Sequence, residues 1–181
     1  MNIKGYESID TVMERGTQAL SAEAFEAAAN ETNALILDAR HEQAFAKGFI
    51  PNSINIGIDG NFAPWAGTLI PDIKQQILVV AEENRIHEVI TRLARVGYDH
   101  AIGYLKGGFA AWVNAGKEID TIESIDGAEL KKRLQAHPEH VILDVRRKSE
   151  YDSEHIINAE NLPLDYINQN MAEIDKSKTY Y

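Results

Sequence analysis

Apolar residues gather in short runs separated by polar stretches. Residues 34–37, 53–56, 77–81 and 101–105 are such runs, and short apolar runs rich in Ile, Leu and Val read as strands buried on both faces of a parallel sheet. Between the third and fourth, Ile86, Val89, Ile90 and Leu93 recur at helical spacing. Asn84 is placed to cap that helix and Gly97 to end it. A strand, loop, helix, strand order implies a right-handed βαβ crossover. Upstream, Ser21 precedes another helix as its cap, with Leu20 and Phe25 at hydrophobic-staple spacing.

The pattern occurs twice. Ile36-Leu37-Asp38-Ala39-Arg40 returns as Ile142-Leu143-Asp144-Val145-Arg146, an offset of 144 − 38 = 106. At the same offset Phe45 matches Tyr151, Ile50 matches Ile156, Asn52 matches Asn158 and Asn55 matches Asn161. A repeat of this length means tandem domains, not a short-repeat solenoid. The second copy opens with Asp126 and Glu129 at capping-box spacing and with Ile125 and Leu130 as the staple. A strand over 141–145, a turn near Asn158 and a helix over 164–174 should follow. The pattern then breaks off at Lys178-Thr179-Tyr180-Tyr181, where a third strand is due. The expected organisation is a connector over 1–19, a complete domain over 20–121 and the first half of a second domain over 122–181. An unfinished sheet leaves an open edge, so the second copy is expected to lean on the first, to pair with another subunit or to be partly disordered, and a homodimer through it is one expected form of pairing.

Composition narrows the chemistry. Twenty-eight acidic against 18 basic residues give a formal net charge of −10, which opposes binding to nucleic acid or anionic membranes. No signal-peptide or membrane-spanning run is visible, so a cytoplasmic location is expected. The chain contains no cysteine, which excludes disulfides, thiolate metal sites and thiol nucleophiles together.

The residues Leu37-Asp38-Ala39-Arg40, Phe45 and Gly48-Phe49-Ile50-Pro51-Asn52-Ser53-Ile54-Asn55-Ile56 resemble the opening signature of rhodanese-like domains. Gly97-Tyr98, Leu105-Lys106-Gly107-Gly108-Phe109, Ala111-Trp112 and Gly116 resemble the closing one. Asp144-Val145-Arg146, Glu150-Tyr151, His155-Ile156 and Ala159-Glu160-Asn161-Leu162-Pro163 repeat the opening. The resemblance implies an α/β fold: a doubly wound parallel sheet of about five strands, followed by an incomplete second copy. In an active member the loop after the third strand reads Cys-x-x-Gly-x-Arg, a thiolate ringed by backbone N–H groups. Here that stretch is Val79-Val80-Ala81-Glu82-Glu83-Asn84-Arg85. Ala81, Glu82, Glu83, Asn84 and Arg85 therefore form a degenerate active-site loop with no catalytic residue, and like charge at Glu82 and Glu83 opposes an anionic donor. Arg40 and Arg85 are candidates for a small anion site. The simpler reading makes Arg40 a structural hydrogen-bonder and Arg85 a solvated first-turn residue.

Ala94-Arg95-Val96-Gly97-Tyr98-Asp99, Ile102-Gly103-Tyr104-Leu105 and Phe62-Ala63-Pro64-Trp65-Ala66-Gly67-Thr68-Leu69 are similar to the inactive middle unit of metallo-β-lactamase-fold/rhodanese multidomain proteins. Gly5-Tyr6-Glu7-Ser8 through Gly16 would then be the connector from an upstream metal-binding domain. That resemblance implies a fragment of a persulfide-processing or sulfur-transfer protein, with the metallo-β-lactamase-fold domain as partner. The family's metal motif is absent, so no metal and no cofactor are expected in this chain. The alternative is part of a working sulfurtransferase or persulfide-processing enzyme whose catalytic residues lie elsewhere; a third reading is an anion-sensing module.

Three features stay outside the resemblance. His137 and His140 flank Pro138, too few ligands for a tetrahedral set, and read as loop residues. Gly107-Gly108 reads as tight backbone approach before the helix carrying Trp112, not as a phosphate loop. Phe62, Pro64 and Trp65 form an apolar cluster that is either core or a docking surface.

Overall fold

The four apolar runs do pair as strands, joined by a fifth that the sequence reading lacks. The computed structural model describes residues 7–181, in two units, Met1–Glu123 and Ser124–Tyr181. In chain order the first unit holds α1 (Ile9–Gly16), β1 (Ala19–Leu20), α2 (Ala22–Thr32), β2 (Leu35–Asp38), α3 (Glu42–Ala46), β3 (Ile54–Asn55), α4 (Phe62–Leu69), β4 (Ile77–Val80), α5 (Ile86–Arg95), β5 (Ala101–Leu105) and α6 (Gly108–Asn114). The strands form one sheet, β1-β5-β4-β2-β3, with every pairing parallel. The α/β fold with a five-stranded parallel sheet is thus as expected. β1 escapes the sequence reading because two residues carry no periodicity.

Alternation along the buried strands sends side chains to two cores. Leu37, Ile77 and Val79 join Val12, Phe62, Val89, Ile90 and Leu93 on one face. Ile36, Leu78 and Val80 join Phe25, Leu105 and Trp112 on the other. Ile77, Leu78, Val79 and Val80 are all fully buried, and each such side chain contributes roughly 1.5–3 kcal/mol of transfer free energy. Phe62 and Ala66 of α4 are core, so the core reading holds for Phe62, while Trp65 packs partly buried against it. The Tyr98 hydroxyl ties α4 down by donating to Ile70 O at 2.6 Å.

Residues 1–19, read from the sequence as a connector, contain α1, whose Val12 enters the first core; Gly5 and Tyr6 of that stretch lie outside the described residues. Ser21 caps α2 as expected, accepting from Ala24 N. Asn84 does not cap α5. The chain makes a 3₁₀ turn over Glu83–Arg85 and α5 starts at Ile86 with no side-chain cap.

The second unit comprises α7 (Gly127–Ala136), β6 (Leu143–Asp144), α8 (Lys148–Ser153), β7 (Glu160–Asn161) and α9 (Ile167–Asn170). β6 and β7 pair in parallel, and Tyr180 bridges Val141 in parallel beside them. Asp126 caps α7, accepting from Glu129 N at 2.8 Å. The Glu129 carboxylate turns to Arg133 instead of back to the cap. The expected helix over 164–174 is broken into a 3₁₀ turn, the single turn of α9 and a second 3₁₀ turn. None of those residues is buried, and a helix without a buried face gains too little to propagate. No helix among the described residues is long and apolar enough to cross a membrane.

Candidate functional site

Ligands of open parallel sheets sit beyond the carboxyl ends of the strands, where the strand order reverses. In this sheet the order reverses between β2 and β4. Residues 39–41 follow β2 there and residues 81–85 follow β4. The loop over 81–85 therefore stands where a ligand site belongs in this fold.

Two adjoining clefts open at that point. Arg40, Ala81, Glu82, Glu83, Gly107 and Phe109 help line one of about 490 Å³. Arg40 and Arg85 both line the other, with His41, Asp59 and Glu82. Ala81 is buried at 2% exposure, and Glu82, Glu83 and Asn84 are exposed.

The cationic and N–H donors are turned onto the protein's own oxygens. Arg40 Nε and Nη2 donate to the Asp38 carboxylate, with Nη2 at 2.6 Å from Oδ2, and Nη2 also donates to Gly48 O at 2.8 Å. The guanidinium lies 4.1 Å from the Phe109 ring centroid, a cation–π contact. Arg85 Nε donates to Glu88 at 2.6 Å and Nη2 to Asp59 at 2.9 Å. Gly107 N–H donates to Glu83 Oε1 at 2.9 Å.

Gly107 and Gly108 have φ of +75° and +60°, and a Cβ on Gly108 would stand 3.2 Å from Ala81 O. The glycine pair thus allows the β5–α6 turn to close over the loop, which supports the tight-approach reading.

The hydrogen bond from Arg85 holds the Asp59 and Glu88 carboxyls below their ordinary range. A depressed carboxyl stays ionised to lower pH than a free one, so the Arg85 clamp is present above the ordinary carboxylate range and is lost as pH falls through the lowered values. Arg85 is raised, first by Glu88 and then by Asp59, and stays charged throughout. Arg40 and Arg85 are brought to one cleft, but each is already paired. Sequence reasoning missed Asp59 and Glu88, although the spacing of Arg85 and Glu88 at i, i+3 was a usable signal.

The opening motif around Asp38 recurs atom for atom. Arg146 donates to Asp144 and to Glu154 O, and Asn161 Nδ2 bridges Asp144 O and Arg146 O as Asn55 Nδ2 bridges Asp38 O and Arg40 O. A family model for the rhodanese-like domain matches residues 21–115 and again 126–181. The chain belongs to the rhodanese-like domain family. Among solved structures, thiosulfate sulfurtransferase from Pseudomonas aeruginosa aligns at TM-score 0.50 and 22% identity over 89% of this chain and 37% of its own. The Alr3790 protein from Anabaena sp. aligns at TM-score 0.50 and 23% identity, over 64% of this chain and 97% of its own. The T414V variant of EanB, solved with hercynine, gives TM-score 0.52 at 15% identity over 87% of this chain and 42% of its own. At these identities the likeness shows the rhodanese fold alone. The chain spans little more than a third of the Pseudomonas enzyme. A comparison with curated proteins finds no match.

Proposed function

We propose that this chain is a non-catalytic rhodanese-like module of a larger sulfur-metabolism protein, of the metallo-β-lactamase-fold/rhodanese type, in which it serves as a spacer and docking platform. One observation carries the reading: at the carboxyl end of β4, where an active rhodanese presents a thiolate in a ring of free donors, Arg85 and Gly107 are instead held by Glu88, Asp59 and Glu83. Sulfur transfer needs a nucleophile to take the sulfane sulfur and donors to hold the anion that delivers it. No cysteine is present to do the first. Carboxylates supplied by the protein fill the second role, and Glu82 adds further repulsion. The parent's chemistry, on this reading, belongs to residues outside this chain, and the second unit is the site of docking, to a partner subunit or to a second copy.

A thiosulfate:cyanide sulfurtransferase assay on the 181-residue chain tests the inactive reading, with no turnover above buffer as the expected result. Measurable turnover would contradict it and favour a working sulfurtransferase. The coding DNA on either side tests the parent: a His-x-His-x-Asp-His motif upstream supports the metallo-β-lactamase association, and stop codons closing both ends oppose it.

A further inference from the structure

Between α7 and β6 the chain reads Ala136-His137-Pro138-Glu139-His140-Val141. The turn is closed by His140 N–H donating to His137 O at 3.1 Å, and Pro138 fixes a backbone torsion between the two histidines. The two imidazole rings stack, with centroids 4.7 Å apart and planes inclined by 12°. Glu139 Oε1 lies 3.2 Å from His137 Nδ1 and 3.7 Å from His140 Nε2, so one carboxylate oxygen is hydrogen-bonded to the first ring and stands near the second. The three donor atoms all fall within 4.8 Å of one another.

Donors on a tetrahedral ion with bonds of about 2.0–2.1 Å stand roughly 3.3 Å apart. Aiming both in-plane lone pairs at one ion requires one ring to swing out of the stack, and the exposed His137 side chain has the room to do so. A turn this short also loses little further conformational entropy on closing around an ion.

A second observation points the same way. His140 Nδ1 lies 3.1 Å from the Tyr181 hydroxyl, and the His140 side chain is only 18% exposed. A hydrogen-bond partner on the far ring nitrogen is what metal-ligating histidines characteristically have, because it fixes both ring orientation and tautomer. With Nδ1–H donating to Tyr181, Nε2 presents its lone pair towards Glu139. From the sequence the turn offered only two ligands; Glu139 supplies the third, and Tyr181 is distant in sequence.

We propose that this turn binds a divalent transition-metal ion of borderline hardness, represented by Zn²⁺, through His137 Nδ1, a Glu139 carboxylate oxygen and His140 Nε2. Two imidazoles and a carboxylate suit such an ion better than Mg²⁺ or Ca²⁺, which prefer oxygen throughout. Remaining positions go to water or to a donor from another molecule. The bound ion ties the end of α7 to the start of the β6 strand segment and stabilises the second unit by mass action.

The test is calorimetric titration of the tag-free, chelator-treated chain with ZnCl₂, with Co²⁺ visible absorption as an independent readout of tetrahedral ligation. One ion per chain should bind in the micromolar range. His137→Ala and His140→Ala should each weaken binding tenfold or more, and Tyr181→Phe by about tenfold, in line with outer-shell substitutions. His87→Ala, exposed on α5, should leave binding unchanged. His137 is 57% exposed, so His137→Ala keeps the test informative even if His140→Ala fails to fold. Millimolar binding only, or micromolar binding that survives His137→Ala, overturns the proposal.

Discussion

The two units present the same motif in different surroundings. Phe45 stacks on Phe49 with ring centroids 4.3 Å apart, and Tyr151 stacks on His155 at 3.8 Å. Asn52 and Asn158 both adopt positive φ, at 62° and 67°. Burial differs sharply: Ile50 is 3% exposed and Ile156 53%, Ala39 1% and Val145 46%. Arg40 is 13% exposed beneath Phe109, whereas Arg146 is 48% exposed. The strand-end arginine, the asparagine bridge and the aromatic stack are therefore set by local residues. Burial comes from what packs over them, namely β4, β5 and α6 in the first unit. In the second, Ile142, Val145 and Ile156 line an apolar cleft of about 590 Å³.

The comparison breaks most readily at its apolar positions. Ile50→Ala should cost the first unit about 2–5 kcal/mol, as large-to-small core changes do, whereas Ile156→Ala should stay within about 0.5 kcal/mol, as surface changes do. Both tryptophans, Trp65 and Trp112, lie in the first unit. Urea unfolding followed by tryptophan fluorescence should thus shift for Ile50→Ala and stay fixed for Ile156→Ala. Equal shifts would show that the two units unfold as one.

A smaller effect is expected at the paired carboxylates. Asp38→Asn weakens a buried, charge-assisted fork and should cost about 2 kcal/mol, moving the same fluorescence transition. Asp144→Asn meets an exposed arginine and should leave that transition in place. The smallest effect sharpens the functional side: Glu82→Cys should not produce sulfurtransferase turnover, because a thiol alone leaves the donors occupied. Turnover by that variant would mean that only the nucleophile is missing.

Much of this was legible in the chain. Buried strands announce themselves as uninterrupted apolar runs, and the 106-residue offset carries the shared motif down to Asn55 and Asn161. Other parts were not. β1 is too short to show a period, and Asn84 has the side chain of a cap but sits inside a 3₁₀ turn. The helix expected over 164–174 has apolar spacing without a buried face to reward it. In the candidate site the loop residues were found from the sequence, but their partners were not. Asp59 lies 26 residues from Arg85, and Glu83 24 residues from Gly107, pairings that only the folded sheet creates.

The central claim is that the loop after β4 is closed by the protein's own carboxylates and is inert towards sulfur anions for that reason. Titrating thiosulfate into the ¹⁵N-labelled chain while following the Gly107 amide and the Arg85 Nε–H tests it directly. The account predicts no saturable shift in the wild type and a new saturable shift at Gly107 in Glu83→Ala. Saturable binding by the wild type at these two groups would contradict it.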